Sequence, residues 1–124
     1  MFYVRTTRII ALVVLIVSQA LGANSISAVQ AKNHIGENAT VCGQVVSTHF
    51  ADTSKGKPTF LNLDEPYPHQ IFTIVIWESD RTKFGNPESK YKWMAVCVSG
   101  MVESYRGVPQ IVAREPTQIT TKEK

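Results

Sequence analysis

Between Thr40 and Arg114 the apolar residues recur in short runs of period two, separated by clusters of glycine, proline and charge. That rhythm predicts strands rather than helices. Thr40–Phe50 (TVCGQVVSTHF) is rich in β-branched residues and reads as a first strand, with Gly43 marking a bulge or tight bend. Ala51–Pro58 (ADTSKGKP) is loop by composition, and Thr59–Leu63 (TFLNL) alternates as a second strand. Asp64–His69 (DEPYPH) is a turn stiffened by Pro66 and Pro68, which fix their own φ and donate no backbone hydrogen bond. Gln70–Trp77 (QIFTIVIW) is the third strand. Ser79 caps a short helix through Phe84, and Asn86-Pro87-Glu88 reads as a second cap with proline at the first helical position. Met94–Tyr105 is the fourth strand, again with an interior glycine, Gly100, and Gln110–Arg114 is the fifth, ended by Pro116. Upstream, Ala28–His34 forms a short N-terminal helix stopped at Gly36. The chain is therefore expected to be all-β, with five strands, a short helix between strands three and four and a short N-terminal helix. Residues 28–119 form the domain and 120–124 a loose tail.

Alternation also assigns faces. Leu61 and Leu63 on the second strand, with Phe72, Ile74 and Ile76 on the third, form the set expected inside. Phe60 and Asn62, with Ile71, Thr73, Val75 and Trp77, form the other set, which holds the polar strand residues and is expected outside. Trp77, at its strand's end, reads as a structural residue under a neighbouring segment.

The first residues change the charge. Arg5 and Arg8 precede the apolar run Ile9–Val17, followed by small residues around Ala20–Ala23. That order is a secretory signal over residues 1–23, and the run is shorter than the roughly 20 apolar residues a bilayer span needs. Export to the periplasm or beyond follows, with no stable membrane anchor after cleavage. Of 13 Lys and Arg, removing those two leaves 11 against 10 Asp and Glu, so the mature chain is close to neutral. Polyanion binding would then need a local patch rather than net charge. Cys42 and Cys97 are an even pair in an exported chain and suggest one disulfide, with two buried free thiols as the alternative.

The strand order with mid-strand glycines in the long first and fourth strands resembles the OB-fold, a five-stranded Greek-key barrel. The stretches SGMVESYRGVPQIV (Ser99–Val112) and YPHQIFTIVIWESDRTKF (Tyr67–Phe84) resemble a small exported bacterial OB family of the nucleic-acid-binding, nuclease-associated type. The resemblance spans about residues 30–119 and implies that the first and fourth strands are neighbours. Cys42 and Cys97, both facing outward, would then bridge if directly opposite. It also implies a single-stranded nucleic-acid ligand on the outer face of strands two and three, between two loops: Lys55 and Lys57 in one, Tyr105, Arg106 and Gln110 in the other. Phe60, Asn62 and Thr73 form the floor, and Tyr67 at the turn's tip is a further contact. The alternative is an envelope OB protein that binds a small ligand or another protein.

Catalysis is poorly supported. Asp64 and Glu65 are adjacent carboxylates without a partner base, and His49 with Asp52 makes at most two metal ligands. No cofactor or metal motif is present in the sequence, and no residue matches the arginine–carboxylate site of the thermonuclease family, which shares the barrel.

Overall fold

The computed structural model describes residues 24–122; the signal segment expected over residues 1–23 lies outside them. The molecule is mostly β, with eight strands: β1 (Ser25–Ser27), β2 (Asn38–Phe50), β3 (Thr59–Leu63), β4 (Thr73–Ile76), β5 (Ala95–Met101), β6 (Glu103–Tyr105), β7 (Val108–Val112) and β8 (Ile119–Thr121). Two one-turn helices, α1 (Glu78–Arg81) and α2 (Pro87–Lys90), lie between β4 and β5. The expected N-terminal helix is a 3₁₀ turn over Ala28–Asn33, opened by Gln30 Oε1 accepting the Ser27 N–H at 2.9 Å.

The strands form one sheet in the order β6-β7-β4-β3-β2-β5-β8, with β1 parallel beside β2. All other pairs are antiparallel except β4 with β7. The count differs from the five strands expected, for two reasons. The long fourth strand is divided at Val102 into β5 and β6, which serve opposite ends of the sheet order. Short strands also add on either side: β1 precedes the expected domain start, and β8 occupies residues expected to begin the tail. Ile119 explains the second correction. It is buried, so the chain there docks on β5 instead of trailing away.

The inner face follows the alternation. Leu61, Leu63, Phe72, Ile74 and Ile76 are fully buried beside Val41, Val45, Val96, Val98 and Ile111. The bend in β2 is not at Gly43. The register shifts between Val45 and Ser47, so Val45 faces Leu63 inside while Ser47 stands beside Asn62 outside. One extra residue in a strand reverses every side chain beyond it. Gly43 answers to crowding instead: a Cβ there would meet the Asp64 carboxylate at 2.9 Å. Gly100 likewise makes room for Ile111, whose Cγ2 would lie 2.8 Å from a Cβ.

Cys42 pairs with Cys97 across β2 and β5, and the two are joined by a disulfide with a Cα–Cα distance of 4.0 Å. A bond of this kind belongs to an oxidising, non-cytoplasmic environment. Among the described residues no helix is long and apolar enough to cross a membrane.

Candidate binding face

Two transverse rows of side chains define the outer face of the central strands. One runs Ser47, Asn62, Thr73, Gln110, Glu103 across β2, β3, β4, β7 and β6. The next runs His49, Phe60, Val75, Val112. Tyr105 and Val108 are paired one step beyond Glu103 and Gln110, on the same face. The register therefore brings Phe60, Asn62, Thr73, Tyr105 and Gln110 onto one surface.

Their accessibility divides them. Asn62 and Thr73, expected to face a ligand, are buried. Thr73 Oγ1 donates to Asn62 Oδ1 at 2.8 Å, and Asn62 Nδ2 donates to Ser47 Oγ at 2.9 Å. Their polar atoms satisfy one another because the Asp64–Gln70 loop folds back on this end of the face, where the Tyr67 N–H donates to Ser47 Oγ at 3.1 Å. That corrects the expectation that Asn62 and Thr73 form an open floor. Phe60 and Gln110 are half-buried, and Tyr105 is exposed.

Both loops border this face. In the β2–β3 loop, Gly56 and Lys57 hold positive φ, and the Trp77 ring lies against Gly56, where a Cβ would meet it at 2.9 Å. The Glu78 N–H donates to the Gly56 carbonyl at 3.2 Å and ties the loop to the end of β4. Trp77 continues the outward alternation of Thr73 and Val75. It is packed as a structural residue should be, yet remains 39% exposed. Lys57 lies 3.7 Å from Glu78, whereas Lys55 has no ion partner among the described residues. At the opposite edge, Arg106 and Gly107 both take positive φ, the pattern of a two-residue hairpin turn that follows the twist of its strands. The Arg106 guanidinium lies 5.4 Å from the Tyr105 ring centre. A pocket of about 210 Å³ adjoins this edge, lined by Val29, Lys32, Gln70, Ile71 and the turn residues Gly107, Val108 and Pro109. Lys32 is a cation that the sequence reading left unassigned.

The nearby charges are not all positive. Glu103 stands in the first row and Glu78 beside Lys57. Lys83 is held between Asp80 and Glu115 at 3.0 and 2.8 Å, and hydrogen bonds to Glu115 and then Asp80 raise its pKa. Behind the β2–β3 loop, Arg81 makes a two-pronged contact with Glu88, stacks 3.8 Å above the Phe50 ring and donates to Thr59 Oγ1. The Arg81 hydrogen bonds hold the Glu88 carboxyl below its ordinary range. Among the described residues no group of three or more His, Cys, Asp or Glu could hold a metal ion. Asp64 accepts the Gln44 N–H at 2.8 Å, a structural role.

No protein-family model and no curated protein matches the chain. Solved structures do resemble it in fold. One is an OBody, AM1L10, bound to hen egg-white lysozyme, with 16% identity and a TM-score of 0.57 over 85% of this chain and 99% of that one. Another is a protein assigned as an aspartyl-tRNA synthetase from Leishmania major Friedlin, with 14% identity and a TM-score of 0.50 over 86% of this chain and 22% of that one. At such identities the likeness is one of fold alone.

Proposed function

We propose that this chain is an exported, single-domain binding module built on an OB-type barrel, and that it takes single-stranded nucleic acid along the accessible borders of the outer face, over Phe60 and between the β2–β3 and β6–β7 loops, since Asn62, Thr73 and Val75 at its centre are buried. Three features support the barrel: the parallel pairing of β4 with β7, the passage of β5 into β6 through a single residue, and the fold likeness to the OBody. Export is supported by the signal-like order of residues 1–23 and by the disulfide.

One observation carries the ligand reading. Phe60 and Tyr105 share one face by strand register, Trp77 continues the outward alternation of β4 beside the loop of Lys55 and Lys57, and Arg106 follows Tyr105 at the other border. Aromatic rings offer stacking platforms that tolerate any base, and cations at the borders neutralise phosphates. With about three such cations, log K should fall with log salt at a slope near −2, since each phosphate on a single strand contributes roughly −0.7.

The test is a fluorescence-anisotropy titration of labelled oligothymidine at low and moderate salt. The expected result is micromolar-or-weaker binding that loosens with salt and is lost in the triple variant Lys55→Ala/Lys57→Ala/Arg106→Ala. An absence of binding at low salt removes the reading. A second reading, an envelope protein that binds a small ligand or another protein on the same face, is favoured by Glu78, 3.7 Å from Lys57, and by Glu103 in the first row of that face.

A further inference from the structure

We infer that Tyr67 is a base-stacking residue of this face, and that Ser47, Asn62 and Thr73 act through it as positioning residues. The inference rests on the nucleic-acid reading and extends the site to the Asp64–Gln70 loop.

The observation is a chain of hydrogen bonds that crosses three strands and ends on a loop. Thr73 Oγ1 donates to Asn62 Oδ1, which fixes the amide so that Nδ2 points the other way, to Ser47 Oγ. That oxygen accepts a second hydrogen bond, from the Tyr67 N–H at 3.1 Å. Both side-chain acceptor sites on Ser47 are thereby used, one by the sheet and one by the loop. The loop is also held at its start: the Asp64 N–H donates to the Gln44 carbonyl and its carboxylate accepts the Gln44 N–H, each at 2.8 Å. Within it the His69 N–H returns to the Pro66 carbonyl at 2.8 Å.

A backbone held at so many points would ordinarily carry a side chain that packs. Tyr67 does not: it is 72% exposed, the most exposed large apolar side chain among the described residues, and its hydroxyl has no partner there. A rigid aromatic displayed in this way contributes contact area at low entropic cost. The neighbouring charges select the kind of contact. Asp64 and Glu65 precede this position by three and two residues and would repel a phosphate, so the ring suits the uncharged face of a base. Tyr67 enters at the Ser47 end of the first row, and Tyr105 stands at the other end on the same strand as Glu103, one paired step along it. Four strand spacings separate Ser47 from Glu103, about 19 Å along the sheet. A strand laid across the rows would therefore meet a ring at each border, giving a site of at least about four nucleotides, the lower end for folds of this size.

The test uses the mature protein with two labelled strands of equal length and charge, oligothymidine and its abasic counterpart. Tyr67→Ala should weaken oligothymidine binding roughly ten-fold and leave the abasic strand within two-fold, because stacking requires a base. Tyr67→Phe should bind as the parent does. Ser47→Ala should weaken oligothymidine binding several-fold in the parent and not at all in the Tyr67→Ala background, a coupling that general loosening of the fold would not produce. Thermal melts confirm that the variants are folded. If the parent binds and Tyr67→Ala binds oligothymidine equally well, or loses both strands alike, Tyr67 is not a stacking residue although the nucleic-acid reading survives. If the parent binds neither strand, both fall.

Discussion

Arg81 and Glu88 show how much one pair of side chains can organise. Their side chains are 14% and 26% exposed, and the guanidinium satisfies Glu88 with two nitrogens while covering Phe50. The contact joins α1 to α2 and presses both on the ends of β2 and β3, since the Glu88 carbonyl also accepts from Thr48 Oγ1 at 3.0 Å. A two-pronged, charge-assisted pair at this depth should contribute about 1–2 kcal/mol. The pH dependence follows from the direction of the Glu88 shift. Its carboxyl is held below the ordinary value, so its stabilising contribution is complete above the unfolded carboxylate range and disappears as pH falls through the lowered value. Thermal melts of the parent and Glu88→Gln should differ by several degrees at pH 7, and the gap should narrow as the pH falls below the ordinary carboxylate range. A gap that persists unchanged below that range would show that packing, not charge, maintains the contact. None of this was legible in the sequence, where Arg81 sits in the short helix after Ser79 and Glu88 in the separate Asn86-Pro87-Glu88 cap, and nothing marks them as partners.

At the scale of elements, the inner face was legible and the outer face only partly. Period-two alternation identified Leu61, Leu63, Phe72, Ile74 and Ile76 because burial of one face selects apolar residues at every second position. It could not locate the shift in β2. Val46 differs in no visible way from Val45, and the displacement becomes determinate only when β2 leaves β5 and takes up β3. Simple alternation from Val45 would have placed Ser47 inside, and the hydrogen-bond chain it completes went unseen. The reverse error concerns Asn62 and Thr73. Their polarity marked the outer face correctly, but polarity says nothing about whether a loop covers it. Gly43 shows the same limit, for its conformation is that of an ordinary strand and the reason for glycine is Asp64, which is 21 positions away in sequence. Gly43→Ala should displace that carboxylate from the Gln44 N–H and cost about 1–3 kcal/mol, the range for leaving a hydrogen-bonding group without its partner. Urea unfolding would detect the lowered midpoint. A variant as stable as the parent would mean that the Asp64 side chain swings aside freely and that the loop start is held by its backbone bond alone.

Across the whole molecule the disulfide joins the two strands on which the architecture depends. β2 is the strand shared by both ends of the sheet order, paired with β1 and β5 in its first half and with β3 in its second. β5 leads through Val102 into β6 and so reaches the far edge of the same order. Cys42–Cys97 fixes β2 against β5 where they meet and closes a loop of 55 residues that contains β3, β4 and both helices. A loop of that length restricts the unfolded chain substantially, and the chain-entropy estimate is about 4 kcal/mol, a large share of the roughly 5–15 kcal/mol available to a domain. The consequence is specific to the reduced protein. Native protein should show no titratable thiol, and two should appear only after unfolding and reduction. The Cys42→Ser/Cys97→Ser variant should unfold at a markedly lower denaturant concentration than the oxidised parent, yet regain the same far-UV spectrum at low temperature, because the strand pairing around the two positions is supplied by backbone bonds. Reduced parent should match the variant rather than the oxidised parent. Equal midpoints for oxidised and reduced protein would show that the sheet order alone restricts the chain and that the bond adds nothing to it.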